Sequence, residues 1–310
     1  MKSPVLFIIF IREDTTRKVF EKIREAKPPR LYIAADGPRP GRPDDIEKCK
    51  ATRSIVNDID WECEVKTLFR DENLGCGKGV SSAITWFFDN EPEGIIIEDD
   101  ILPNMEFFKF CDEMLEKYRD DERIQLVAGF NSFFDGYESP YSYYMSKFTA
   151  IWGWATWRRV WQTYELDTKK LPKNIFLSKL KNNYSLPVYR HYKTVFEKME
   201  KYKVDTWDYQ FFFNLVLNDR YSVIPFVPLT ENIGFGTSDA AHLTDSSNSY
   251  ILRLINHRSH YIYPLKCPDS IYENKDADEL YASFAGWKQN NIFLRVVNRI
   301  RRELNKVFKQ

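Results

Sequence analysis

The segment GIIIEDDILP, Gly94 to Pro103, runs a continuous apolar stretch directly into three adjacent acids, Glu98, Asp99 and Asp100. An unbroken run of isoleucines with no alternation reads as a strand buried on both faces, the pattern of a sheet covered by helices on either side. Three carboxylates at the end of such a strand raise one another's cost of ionisation unless a cation is near. A hard divalent ion, Mg2+ or Mn2+, removes that cost, sharing itself between one or two carboxylates and substrate phosphates. The competing reading is a helix N-terminus, with the acids facing the positive end of a helix that begins near Met105. Capping needs only one carboxylate.

Outward from this strand the chain alternates short apolar runs with helical periodicity. Strands are expected at Val5–Ile11, Arg30–Ala35, Cys63–Phe69, Gly94–Glu98 and Ile124–Gly129. Helices are expected at Thr15–Ala26, Asp44–Ile59, Gly77–Asp89 and Met105–Tyr118. Strand–helix alternation implies an α/β fold with a mostly parallel central sheet flanked by helices. Ligands of such sheets bind beyond the carboxyl ends of the strands, which here carry Arg12, Asp36, Arg70 with Asn73, and Glu98 to Asp100. After residue 130 the alternation stops and aromatics crowd in, with no linker composition between the parts. The expected organisation is a nucleotide-binding half, 1–130, an acceptor-binding and catalytic half of the same domain, 131–265, and a tail, 266–310.

The 310 residues carry 45 basic and 45 acidic side chains, which argues against a nucleic-acid binder. With 43 % hydrophobic residues and 16 % aromatic, the chain can bury a sizeable core, and disorder and collagen are excluded. Five cysteines without a C-x-x-C pair suggest neither a zinc ribbon nor a disulfide framework, and fit a reducing cytosol. Val5 to Ile11 is too short to span a bilayer, and charged residues follow at once.

The acidic triplet also resembles the motif of GT-A-fold glycosyltransferases, most closely N-acetylglucosaminyltransferase I and bacterial nucleotide-diphospho-sugar transferases. Further segments match in order: IAADGP at Ile33–Pro38, AGFN at Ala128–Asn131, Trp152-Gly153-Trp154, Trp207-Asp208, and NIGFG at Asn232–Gly236. The resemblance implies a metal-dependent, inverting transfer of sugar from a nucleotide-diphosphate sugar, UDP-N-acetylglucosamine or another UDP-sugar, to a glycan or lipid-linked acceptor in bacterial surface polysaccharide or glycolipid assembly. It implies that Arg12 lies near the nucleotide, Asp36 meets the base, Asp99 the ribose, Glu98 the donor sugar and Asp100 the Mn2+ or Mg2+. Asp208 becomes the general base that takes the acceptor hydroxyl's proton. Trp152 and Trp154 offer ring faces to sugar C–H bonds or else pack in the core, while Trp157 and Trp161 read as core. His242 is a candidate further metal ligand.

Residue-level alternatives stand beside these roles. Arg12 is able to pair with Glu13 or Asp14, Asp36 to serve only as a turn residue before Gly37-Pro38, and Asp205 to cap the helix that Asp208 begins. Gly75-Cys76-Gly77-Lys78-Gly79 fails the P-loop pattern, yet a helix start approaching phosphates through its N–H groups fits it. A sugar-phosphate nucleotidyltransferase would share the fold and metal but needs a glycine-rich loop after the first strand, where this chain has Ile11-Arg12-Glu13-Asp14. A non-catalytic carbohydrate-binding protein is the third reading. In residues 291–310 six cations face one acid at amphipathic helical spacing, so the tail is expected to dock on the body or on the inner face of the cell membrane, in a cytoplasmic, peripheral protein.

Overall fold

The computed structural model describes residues 1–132, 139–234 and 260–285. Its first part alternates as the apolar periodicity requires: β1 (Val5–Ile9), α1 (Glu13–Ala26), β2 (Arg30–Ala35), α2 (Asp44–Arg53), β3 (Glu64–Phe69), α3 (Gly75–Asn90) and β4 (Glu93–Glu98). β1 lies between β2 and β4, with Val5 opposite Leu31 and Ile95, and both pairings are parallel. Central strands of this kind have no solvent face, which is why Leu6, Phe7, Ile33, Ile96 and Ile97 are all buried without alternation. α2 is shorter than the expected Asp44–Ile59. At Ser54 the chain tightens into a 3-10 turn through Asp58, and the Ser54 hydroxyl donates back to the Ala51 carbonyl.

Beyond β4 come β5 (Ile101–Pro103), α4 (Met105–Lys117), β6 (Ile124–Ala128), β7 (Tyr143–Ser146), β8 (Trp154–Trp157) and α5 (Arg158–Trp161). They are followed by α6 (Lys173–Asn183), α7 (Leu186–Lys201), α8 (Asp208–Leu217), β9 (Tyr221–Pro225), β10 (Thr230–Asn232) and α9 (Lys275–Phe284). The main sheet has eight strands in the order β3-β2-β1-β4-β8-β6-β9-β7. Six of its strands run in one direction, so the sheet is mostly parallel, with two reversed strands: β8 runs antiparallel to both β4 and β6, and β7 antiparallel to β9. Between β6 and β8 no described helix intervenes, so their antiparallel pairing needs no crossover, whereas β7 meets β9 only after α5 to α8.

One core spans the sheet and its helices from Val5 to Ala277; a second, smaller one joins Phe176, Leu180, Phe196, Phe212 and Phe213 among α6, α7 and α8. A separate two-stranded ribbon pairs β5 with β10, Ile101 opposite Asn232. That ribbon lays Ile233 and Gly234 over the turn that carries Asp100: the Ile233 N–H donates to the Asp100 carbonyl at 2.8 Å. A Cβ on Gly234 would lie 2.3 Å from the Asp100 carboxylate, so only glycine fits there.

Candidate functional site

β4 ends at Glu98, and Asp99 and Asp100 form the turn into β5. Arg12 follows β1 on the adjacent strand, and its guanidinium reaches both aspartates. Nη1 donates to Asp100 Oδ2 at 2.8 Å, and Nη2 donates to Asp99 Oδ1. Neither Glu13 nor Asp14 pairs with it; Glu13 instead bonds Arg17. Asp99 is 3 % exposed, and its other oxygen accepts the Phe10 N–H at 3.1 Å. Its carboxylate is thereby turned into the protein, away from the ribose role that the resemblance implies.

A single guanidinium compensates three acids. Loss of solvent, then the neighbouring Asp100 and Asp99, push the Glu98 carboxyl up to about 8, against the pull of Arg12. Burial pushes Asp99 up to about 6, with Arg12 opposing. Among the described residues Glu98 makes no hydrogen bond or ion pair, so an acid held at the strand end has no protein partner for its charge.

α8 brings the next carboxylate. Asp208 is the first residue of α8, half-buried, and it accepts a hydrogen bond from the Thr206 hydroxyl. Its charge contributes to the rise at Glu98, which places the two acids in one electrostatic neighbourhood. Cys76 shares it: loss of solvent around the thiol, then Glu98, Asp205 and Asp208, push it up to about 12.

Asp205 does not cap α8. Its carboxylate accepts the N–H groups of Cys76 at 2.9 Å and Gly77 at 2.7 Å, at the start of α3. The glycines of Gly75-Cys76-Gly77 have a steric reason, since a Cβ at Gly75 would lie 2.5 Å from the Asp205 carboxylate and one at Gly77 2.9 Å from the Thr206 carbonyl. Gly75 also sits at φ 77°, in the left-handed region. The helix start that the sequence offers to phosphates is thus taken by this chain's own carboxylate, which corrects that expectation. The G-x-G spacing was the available signal, but its partner lies 128 residues away.

Asp36, at the end of β2, turns both oxygens toward the Leu74 N–H, at 2.9 and 3.1 Å, and burial raises its pKa. Its carbonyl accepts Arg53 Nη2 at 3.1 Å, and the same nitrogen reaches the Arg70 carbonyl at 2.5 Å. Asp36 is therefore more than a turn residue: it ties the loop after β2 to the start of α3. Arg53, which sequence patterning does not single out, clamps the ends of β2 and β3 together.

The tryptophans divide. Trp154 is wholly buried on β8, its ring 5.7 Å from that of Trp207, so the expectation of a sugar-facing ring is corrected to core. Trp157 and Trp161 are buried as well. Trp152 is half-buried beside Phe130, with ring centroids 4.5 Å apart. His242 and residues 291–310 lie outside the described residues.

Among the described residues no three His, Cys, Asp or Glu side chains converge as a closed metal centre. Glu98 and Asp100 nonetheless suit a cation that takes one or two carboxylates and completes its shell with water and substrate phosphates, as Mg2+ and Mn2+ do. The under-compensated charge at Glu98 is the observation that favours such an ion.

Two grooves of about 450 Å3 each lie on either side of the start of α9. One is lined by Tyr141, Tyr144 and Tyr272, the other by Lys147, Tyr184 and Asp278, and neither includes Glu98, Asp100 or Asp208. Asp278 in the second groove is hydrogen-bonded to Ser146 and Lys147, whereas Glu98 has no such partner among the described residues. No described helix is long and apolar enough to cross a membrane.

No protein-family model matches the chain, and no curated protein matches it. Solved structures similar to it include HddC from Yersinia pseudotuberculosis, at 10 % identity and TM-score 0.32, covering 52 % of this chain and 80 % of that one. Another is 4-diphosphocytidyl-2C-methyl-D-erythritol synthase from Anaerococcus prevotii, at 9 % identity and TM-score 0.36, covering 72 % and 88 %. A third is an apo UDP-glucose pyrophosphorylase, at 9 % identity and TM-score 0.38, covering 73 % and 90 %. The resemblance to N-acetylglucosaminyltransferase I gains no support from them.

Proposed function

We propose that this chain is a glycosyltransferase of the GT-A type, moving a sugar from a nucleotide-diphosphate sugar to an acceptor hydroxyl with inversion. The observation that carries the reading is that the charge of Asp208 acts on Glu98 together with those of Asp99 and Asp100, although more than a hundred residues separate Asp208 from them in sequence. Asp100 and Glu98 would hold Mn2+ or Mg2+, and the ion when bound neutralises charge on the leaving diphosphate. Asp208 accepts the acceptor hydroxyl's proton as that oxygen bonds to the anomeric carbon, while the bond from that carbon to the diphosphate oxygen breaks. Arg12 holds Asp99 and Asp100 in place before substrate arrives. Asp36 and Arg53 shape the pocket edge where the base would lie, and Trp152 is the remaining aromatic candidate for a sugar face.

The same carboxylates and cation would serve sugar-phosphate nucleotidyl transfer, which is the second reading and the one with which the names of the similar structures agree. Superpositions of that extent do not separate the two reactions. Two features favour glycosyl transfer: the charge of Asp208 acting on Glu98, and α1 starting at Glu13 with no glycine loop after β1. One assay separates them. The protein with Mn2+ is given a panel of nucleotide sugars with glycan and lipid-linked acceptors, and in parallel nucleoside triphosphates with sugar 1-phosphates. Acceptor-dependent release of nucleoside diphosphate supports the proposal; pyrophosphate release alone replaces it with nucleotidyl transfer.

A further inference from the structure

Charge is unevenly placed on this neutral chain. From Lys169 to Val204 there are nine lysines and Arg190 against only Glu197 and Glu200, a net charge of +8. The stretch folds mainly as α6 and α7, whose inner sides bury Phe176, Leu180, Val188, Tyr192 and Phe196 against α8. Four of its cations have acidic partners: Lys170 with Glu165, Lys173 with Glu200, Lys179 with Asp219 and Lys193 with Glu197. Lys169, Lys181, Arg190, Lys198, Lys201 and Lys203 make no ion pair among the described residues, and all six are exposed.

The exposed apolar residues collect in the same place. Of the seven large hydrophobic side chains exposed in the described structure, four are Ile175, Leu186, Tyr202 and Val204, at 44 to 58 % exposure. Along α7 the exposed positions are 186, 190, 194, 197, 198 and 201, so Leu186, Arg190, Lys198 and Lys201 share one outer stripe in which the single acid, Glu197, is paired with Lys193. That stripe runs on into exposed Tyr202-Lys203-Val204. A solvated basic helix gains nothing from outward Leu, Ile and Tyr. A surface resting at the boundary of an anionic bilayer gains from both: apolar side chains enter the headgroup region while lysines reach the lipid charges.

We propose that the outer face of α6, α7 and Tyr202–Val204 docks on an anionic lipid surface. A soluble polyanion would match the charge but not the apolar residues, so the bilayer is the occupant the two observations favour together. Docking there sets Asp205, which follows Val204 directly, near the bilayer, with Asp208 three residues further on. The inference goes beyond the proposed reaction and is read by binding alone.

The test uses the full chain in co-sedimentation with phosphatidylcholine vesicles, with and without phosphatidylglycerol. Binding is expected only to the anionic vesicles. The Lys198→Glu/Lys201→Glu/Lys203→Glu variant is expected to lower it by roughly tenfold or more. Leu186→Ser/Tyr202→Ser is expected to weaken it several-fold even in salt that screens the charges. These positions are exposed, and unchanged thermal melting would verify that both variants fold. A second charge variant, Lys169→Glu/Lys181→Glu, repeats the test on the other helix. Equal binding to neutral and anionic vesicles overturns the proposal. So does wild-type partitioning of both charge variants while Arg299→Glu/Arg301→Glu/Arg302→Glu in the tail abolishes binding. Tight binding to dextran sulfate with no effect of Leu186→Ser/Tyr202→Ser would assign the face to a soluble polyanion instead.

Discussion

Asp208 and Asp205 are three residues apart and have different surroundings. Asp208→Asn keeps the shape and the Thr206 contact but removes the proposed proton acceptor, so on the proposed mechanism acceptor-dependent turnover is expected to fall by about 10²- to 10⁴-fold while nucleotide-sugar binding persists. Calorimetric binding beside an activity assay would check it, and normal transfer by the variant would remove Asp208 from the mechanism. Asp205 acts through position, because its carboxylate pins the approach to α8 onto Cys76 and Gly77. Asp205→Ala is expected to cost about 1 kcal/mol of stability, the worth of a lost helix cap, and to lower turnover more than substrate binding. Asp205→Asn, which keeps one acceptor oxygen, should restore part of both; equal values for the two variants would count against the positioning role.

At the scale of elements, two buried acids tie segments together. Glu91, just beyond α3, is 4 % exposed and accepts Arg30 Nε at 2.6 Å and the Tyr32 hydroxyl at 2.8 Å, joining α3 to β2. Glu91→Ala would leave both donors without that partner, and urea unfolding is expected to show a loss of roughly 2–4 kcal/mol. Asp278 on α9 accepts the Lys147 N–H at 2.8 Å and the Ser146 hydroxyl, joining α9 to the end of β7. Burial pushes its carboxyl up to about 7, against those two hydrogen bonds. The folded protein therefore holds this proton more tightly than the unfolded chain does. Its contribution is fully present below the ordinary carboxylate range and is lost as pH rises through about 7. Melting from pH 4 to 8 should show that decline, and Asp278→Asn should remove roughly 1–3 kcal/mol of it. An unchanged pH slope in the variant would show that Asp278 is charged in the folded state throughout.

For the whole molecule, the site depends on three distant parts meeting: the β4 turn, the start of α8 and the β5–β10 ribbon. Thermal unfolding with Mn2+ and a UDP-sugar, at about a hundred times the dissociation constant, is expected to rise by roughly 5–10 °C. Chelator should remove that rise, and so should Asp100→Ala. A rise that survives in Asp100→Ala would place the cation elsewhere. Zero net charge conceals a basic helical face from the middle of the chain as well as the basic stretch 291–310, which lies outside the described residues.

The alternation of strands and helices through residue 128 was legible because it is local: periodicity, chain length and the burial of both sheet faces act within each element. So was the acidic end of β4, since three carboxylates directly after an apolar run stand out in the residue order itself. The antiparallel insertion of β8 was not legible, because its neighbours β4 and β6 are chosen by long-range pairing rather than by anything within its own four residues. Trp154 resisted for a similar reason, as a ring beside glycine faces either sugar or core according to the layer packed over it. Asp205 reaches α3 only in three dimensions, and the charge of Asp208 comes to act on Glu98 only there. Residue order alone determined which groups are able to carry protons, phosphate and metal. Tertiary structure decided which of them are brought together, because the free energy of an ionised group is set by the neighbours that packing supplies.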